Sequence, residues 1–214
     1  MNSYGKKQNN DSHPKYEVLE RLGCGTFGSV FKVKNISTGE ICALKKIKVS
    51  KRDIDENGVP KASREVIINK YLLQYCDDNA KHHFANIIDN FYTYSNKDDI
   101  YEETNSSYDI LYNNIVLEFH GVSLSRVIAG LQGRWNDIKL ITKEIFKVMA
   151  DIHQMNIVHR DIKPGNILID PITRQLKFCD FGSSKYIEDR NGESCVSTPL
   201  VTSRFYSPRT SLWQ

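Results

Sequence analysis

The sequence predicts an α+β fold in two lobes, β-rich first and helical second. Three observations carry that prediction. Between Tyr16 and Lys48, short apolar alternations are interrupted at GCG and STGE, the pattern of antiparallel strands joined by tight turns. Between Asp137 and Met155, the residues Ile138, Ile141, Ile145, Val148 and Ile152 recur at steps of three and four, which is one face of a helix. Strands come before helices rather than alternating with them, and there is no internal repeat.

Taken in order, residues 1–15 form a polar N-terminal tail and residues 16–119 a first lobe. After the turn signal DENGVP, the segment Lys61 to Tyr75 groups Val66, Ile67, Ile68, Tyr71 and Leu72 at helical spacing, so one helix is expected to pack on the strands. Asp77 to Asn114 is polar and rich in tyrosine. It holds strand residues from Ile87 to Tyr94 and an inserted surface loop at about 95–108. NIVLEF, Asn114 to Phe119, reads as a buried strand. Residues 120–214 form the second lobe, with helices expected over Ser123–Leu131 and Asp137–Met155.

At 214 residues the chain can bury one generous core or two small ones. Hydrophobic residues at 40% and charged residues at 26% exclude a fibrous or wholly disordered class. The net charge of +3, from 29 basic and 26 acidic side chains, is too weak a bias for a nucleic-acid binder. The densest basic run, KKIKVSKR, lies in what reads as a strand and its exit rather than in an import signal. Five cysteines, Cys24, Cys42, Cys76, Cys179 and Cys195, show no C-x-x-C spacing, which argues against both a disulfide framework and a zinc site. Neither an apolar leader nor a run approaching the roughly 18 apolar residues of a membrane span is present. The expected location is cytoplasmic or nuclear, with no nucleic-acid or membrane partner.

GCGTFG, Gly23 to Gly28, fits G-x-G-x-x-G, a weak signal by itself. A dinucleotide-binding fold requires a helix after the last glycine, whereas SVFKVKN alternates in strand fashion. The glycines therefore read as a hairpin turn whose bare backbone can lie over phosphates; a plain glycine-rich hairpin is the alternative. Lys45 sits in CALKKIK among apolar neighbours, where an unpaired ammonium is costly to bury. Glu65, on the predicted helix, is the candidate partner that orients it towards a phosphate; a solvated edge lysine is the alternative.

HRDIKPGN, from His159 to Asn166, fixes six residue types within eight positions. Asp161 can accept the proton of an attacking hydroxyl, Lys163 can neutralise charge on a moving phosphoryl group, and Asn166 offers an oxygen to a magnesium ion. Asp180, in CDFG after the strand-like LKF, supplies a second oxygen ligand. The alternative, a merely salt-bridged loop, requires this combination to arise by chance in one short segment.

In this order, GCGTFGSV, ALKK, a Glu-bearing helix, HRDIKPGN and DFG resemble the signature set of the eukaryotic protein kinases, from about Tyr16 to Tyr206. HRDIKPxN with Lys163 resembles the serine/threonine type. GVPKASRE is similar to cyclin-dependent kinases and DPITRQLKFCDFGSSK to glycogen synthase kinases, both of the group abbreviated CMGC. The resemblance implies ATP and Mg2+ as cofactors, a protein substrate and transfer of the gamma-phosphate to Ser or Thr hydroxyls. It implies that Leu22, Gly23, Cys24, Gly25, Thr26, Phe27, Gly28 and Ser29 cover the nucleotide. Lys45 and Glu65 would form an ion pair, Leu117 the gatekeeper, and Glu118, Phe119 and His120 the hinge. Leu168 would lie under the adenine, with Val30, Ala43 and Cys179 completing an apolar slot. It further implies that Arg64, Arg160 and Lys185 converge on a phosphate, on a primed substrate or on Ser197 or Thr198 of the activation segment.

The chain departs from the family at three places. The stretch from Pro60 to Arg64 is one residue shorter than in cyclin-dependent kinases and carries Ser63 for isoleucine, which argues against a cyclin as the activating protein that the group implies. Asn69 stands where the family has an apolar side chain against the Phe of DFG, and a buried amide there needs a partner. After LVTSRFY the chain reads SPRTSLWQ, so the second lobe is expected to be incomplete, the product of a truncated or misassembled longer gene. A non-catalytic nucleotide-binding or protein-interaction module is the alternative function.

Overall fold

The fold is that of a computed structural model, which describes residues 15–25, 28–56, 60–61, 63–94, 110–187, 189–190 and 193–194. The expected tail, the loop at 95–108, Thr26, Phe27, Cys195, Ser197 and Thr198 lie outside the described residues, Lys15 of the tail excepted. By compactness the chain divides into two units, Met1–Lys61 with Ile87–Phe119, and Ala62–Asn86 with His120–Gln214.

The first unit is a five-stranded antiparallel sheet built from β1 (Tyr16–Gly25), β2 (Gly28–Asn35), β3 (Ile41–Lys48), β4 (Ile87–Tyr94) and β5 (Leu111–Glu118), in the order β1-β2-β3-β5-β4. The alternation read from the sequence sorts its faces. Phe31, Val33, Cys42, Leu44 and Val116 are buried together with Tyr16 on one side, and Val18 and Phe91 pack against them. The Tyr16 and Phe91 rings stack at 6.0 Å, and the Tyr16 hydroxyl donates to Asp89 at 3.0 Å. Those contacts draw the two edge strands together and curl the sheet around its apolar side.

STGE is the β2–β3 turn: the Asn35 Oδ1 accepts from the Ser37 and Thr38 amides at 3.0 and 3.3 Å, the side-chain mimic of a turn that favours Asn there. Gly28, with φ of 149°, follows the β1–β2 turn. A Cβ at that position would lie 2.0 Å from the Lys46 carbonyl oxygen, so β3 approaches β2 as closely as it does only because the residue is glycine.

The second unit contains α1 (Arg64–Tyr75), the single turn α2 (Asp78–Lys81), the two-residue strand β6 (Val122–Ser123), α3 (Leu124–Val127), α4 (Trp135–Gln154), β7 (Ile157–Val158), β8 (Ile167–Ile169), β9 (Leu176–Phe178) and β10 (Lys185–Tyr186). The predicted stripe of α4 faces the core: Val148 and Ile152 are fully buried, and Ile138, Ile141 and Ile145 pack against the same cluster. Each fully buried branched side chain contributes about 1.5–3 kcal/mol. Trp135, Leu140 and Phe146 lie on exposed positions of the same helix. Ile68 and Leu72 of α1, with Cys76 just after it, belong to the second unit's core, with Phe84, Ile167, Phe178 and Phe181. The expected helix over Ser123–Leu131 is α3 followed by a tighter 3-10 turn, Ile128–Leu131.

Candidate active site

In the first unit, strand register brings several predicted residues to one face. Val30 pairs with Lys45, and Ala43 pairs with Leu117. Period-two geometry then sets Val30, Ala43, Lys45 and Leu117 on the side opposite Phe31, Leu44 and Val116. Lys45 is half-buried there, as an ammonium on a long apolar stem can be. At the sheet's end, Gly23 pairs with Val30, Cys24 with Ser29 and Gly25 with Gly28; the register slips at Leu22. The predicted hairpin is therefore present, with strand rather than helix after the last glycine. Glu118 ends β5, and Phe119, the last residue of this unit, lies under the Lys32 ammonium at 5.1 Å.

In the second unit, β7 runs directly into the segment His159–Lys163, and Pro164 opens a 3-10 turn that ends at Asn166. Proline suits that first position because its missing N–H has no partner to lose. Asp161 is 7% exposed. Its Oδ2 accepts from the Lys163 ammonium at 2.8 Å and from the Asn166 amide at 2.9 Å, and the same Asn166 Nδ2 donates to the Asp161 carbonyl at 2.9 Å. Three groups predicted to act together thus form one hydrogen-bonded cluster. With its nitrogen committed to Asp161, the Asn166 side chain presents its oxygen in another direction.

Asp180 is locked to this cluster through the preceding residue. The Cys179 amide and thiol both donate to the Asn166 carbonyl, at 3.0 and 3.4 Å. Asp180 itself has left-handed backbone, φ 64° and ψ 64°, and opens a short 3-10 turn. A Cβ added at Gly182 would lie 3.3 Å from Asp180 Oδ1 and 3.7 Å from Glu65 Oε2, so the buried Glu65 and Asp180 flank that glycine. Glu65 belongs to the second unit and Lys45 to the first.

His159, absent from the residues read as functional, is the hub of the loop. It is 1% exposed; its Nε2 is 3.1 Å from the Cys179 carbonyl and its Nδ1 accepts from the Asp161 amide at 3.3 Å. Those partners require a neutral ring with the proton on Nε2, and burial accordingly lowers the His159 pKa from its ordinary value. Its ring also lies 4.9 Å from that of Phe181. The Ser184 hydroxyl donates to the His159 carbonyl at 3.3 Å, and the Ser123 hydroxyl donates to that of Pro164 at 3.1 Å, tying α3 to the loop. The position of His159 inside HRD was the signal available; its partner, twenty residues on, was not.

Leu168 is half-buried on β8, between the core residues Ile167 and Ile169, so it points away from the core. His120 Nε2 lies 3.1 Å from the Gln175 carbonyl. Of the predicted cations, Arg160 donates from Nε to the Ser183 carbonyl at 2.6 Å, and its pKa is lowered by burial and then by nearby Arg64. Lys185 pairs with Val158, two residues before Arg160. The three cations thus lie on neighbouring segments.

A glycine hairpin on a sheet, a lysine on the adjacent strand and a carboxylate–lysine–amide loop are the parts of a phosphotransferase of the kinase class. The family model described as "Protein kinase domain" matches residues 16–211, and the chain belongs to that family. Phosphoryl transfer to protein is the activity that goes with the domain.

Proposed function

We propose that this chain is a serine/threonine protein kinase of the CMGC group, using ATP with Mg2+. The observation that carries the reading is the Asp161 carboxylate, buried and held by Lys163 and Asn166. Two donors on Oδ2 orient that carboxylate to receive the proton of a substrate hydroxyl. Lys163, already bonded to it, balances charge on the phosphoryl group.

The donors that would hold magnesium are the Asn166 amide oxygen and the Asp180 carboxylate, both hard oxygens on segments joined through Cys179. Two protein oxygens suit an ion that keeps several waters, so the residues fit it. The bound ion would neutralise phosphate charge. The residues to which the family's nucleotide contacts carry over are Leu22, the Gly23–Ser29 turn including Thr26 and Phe27, Val30, Ala43, Lys45, Leu117, Glu118 and Phe119 in the first unit, and Glu65, His120, Leu168 and Cys179 in the second.

Serine/threonine rather than tyrosine specificity is supported by Lys163 within HRDIKPxN. Phosphoamino-acid analysis after incubation with labelled ATP and a mixed protein substrate tests it. Labelled phosphoserine and phosphothreonine are expected, and phosphotyrosine alone would overturn the reading. Arg64 near Arg160, with Lys185 on the strand paired to β7, gathers positive charge, which supports a phosphate partner on Ser197, Thr198 or a primed substrate. Among the described residues Cys24, Cys42, Cys76 and Cys179 form no disulfide, and no helix is long and apolar enough to cross a membrane. The cysteine usage, five residues with no C-x-x-C spacing, supports a cytoplasmic or nuclear location, which imaging of a tagged chain would test.

A further inference from the structure

Asn69 lies in the middle of α1, four residues after Glu65, and is 1% exposed. Its Nδ2 donates to the Ala85 carbonyl at 2.7 Å, while its Oδ1 is buried with no hydrogen-bond partner among the described residues. A leucine of similar size would fill the space without the orphaned Oδ1, but it would leave the buried Ala85 carbonyl without that donor, so the amide is there for the bond rather than for packing. The acceptor of that bond leads to the proposed active site. The Ala85 amide donates to the Phe178 carbonyl at 3.2 Å, and the Phe178 amide donates to the His83 carbonyl at 2.7 Å. Phe178 is followed by Cys179, which bonds to Asn166, and by Asp180.

We propose that Asn69 is a positioning residue that holds the helix bearing Glu65 in register with β9, the strand that leads to Asp180; this rests on the kinase reading above. The route is continuous: the side chain of Asn69 fixes Ala85, residues 83–85 fix Phe178, and Phe178 leads directly to the residue bonded to Asn166. Apolar contacts among Ile68, Leu72, Phe84 and Phe178 surround this route. Such contacts are non-directional and tolerate small slides of one element along another. A single directional bond at Asn69 removes that freedom. Misplacement by about an ångström at a phosphoryl-transfer site lowers the rate by up to about a hundredfold, so the tether acts on turnover rather than on nucleotide affinity.

Three measurements on the full chain test the proposal. Asn69→Leu is expected to lower kcat about tenfold or more, with KM for ATP within about twofold and the thermal midpoint within a few degrees, since the orphaned Oδ1 is removed while the Ala85 carbonyl loses its donor. An unchanged kcat, or a kcat that falls together with a midpoint lowered beyond that range, would overturn it. Asn69→Asp sets a carboxylate against the Ala85 carbonyl, two acceptors, and regains a donor only when protonated. Its activity relative to wild type should rise as pH falls from about 8 to 6, and a flat ratio would count against the tether. Hydrogen exchange of the unmodified protein needs neither a variant nor turnover: the Ala85 and Phe178 amides should open together with the interior of α1. Independent opening of Ala85 would refute the coupling. If the wild type transfers no phosphate, the kinase reading fails while exchange still decides the tether.

Discussion

The side-chain nitrogen of Asn166 lies 2.9 Å from both the carboxylate and the carbonyl oxygen of Asp161. The residue proposed to offer an oxygen to magnesium therefore also clamps the proposed base, and the two duties use opposite ends of one amide. Asn166→Asp separates them. It keeps an oxygen ligand but replaces both donated hydrogen bonds with a carboxylate against Asp161. Turnover should fall by about a hundredfold or more although the ligand count is preserved, as measured by steady-state transfer over a range of magnesium concentrations. Activity restored by added magnesium would show that the clamp is dispensable.

Lys45→Met should abolish transfer while leaving the fold nearly intact. Lys45 is half-buried on the sheet face opposite the first unit's core, so its role is positional rather than cohesive. A loss of about a hundredfold or more is expected with a thermal midpoint shifted by only a few degrees. Activity within a few-fold of wild type would remove Lys45 from the phosphate contact.

Much of this architecture was legible beforehand, because period-two and period-3.6 patterns are local. The strand Ile87–Tyr94 has the predicted limits, and α4 begins two residues before and ends one before its expected span. β5 begins at Leu111, three residues before the expected Asn114, the expectation falling short because Tyr112 and Asn113 break the apolar pattern. Asn113 and Asn114 are buried all the same, and their polar atoms are met across the strands by Asn90 and Thr93. The same reason hid His159 and the partner of Asn69. Motif spacing reveals which residues belong to the catalytic loop, but bonds to Cys179 and Ala85 exist only once distant segments meet. Nor does an apolar stripe say which core it joins: Ile68 and Leu72 of α1 cluster with Phe84 and Phe178.

Stability should fall as the solution is acidified. Burial lowers the pKa of both His83 and His159 from the ordinary value of 6.5, with the neighbouring His82 a further cause for His83. Each therefore binds a proton more readily unfolded than folded. Their contribution is intact above pH 6.5 and is lost as pH falls through 6.5 towards the folded values. The limiting slope is about 1.4 kcal/mol per pH unit for each ring. Denaturant midpoints at pH 7.5, 6.5 and 5.5 measure it, and His83→Phe should flatten the dependence. Equal slopes in variant and wild type would remove His83 from the account.

The central claim is that Asp161, held by Lys163 and Asn166, is the proton acceptor of a phosphoryl transfer. Its most direct measurement is incorporation of labelled phosphate from ATP into a serine/threonine peptide by the purified chain and by its Asp161→Asn variant, with nucleotide affinity measured in parallel. The account predicts transfer by the wild type, a loss of about a hundredfold or more in the variant, and nucleotide affinity equal within a few-fold. Equal transfer by both proteins, or nucleotide binding without transfer by the wild type, would contradict it.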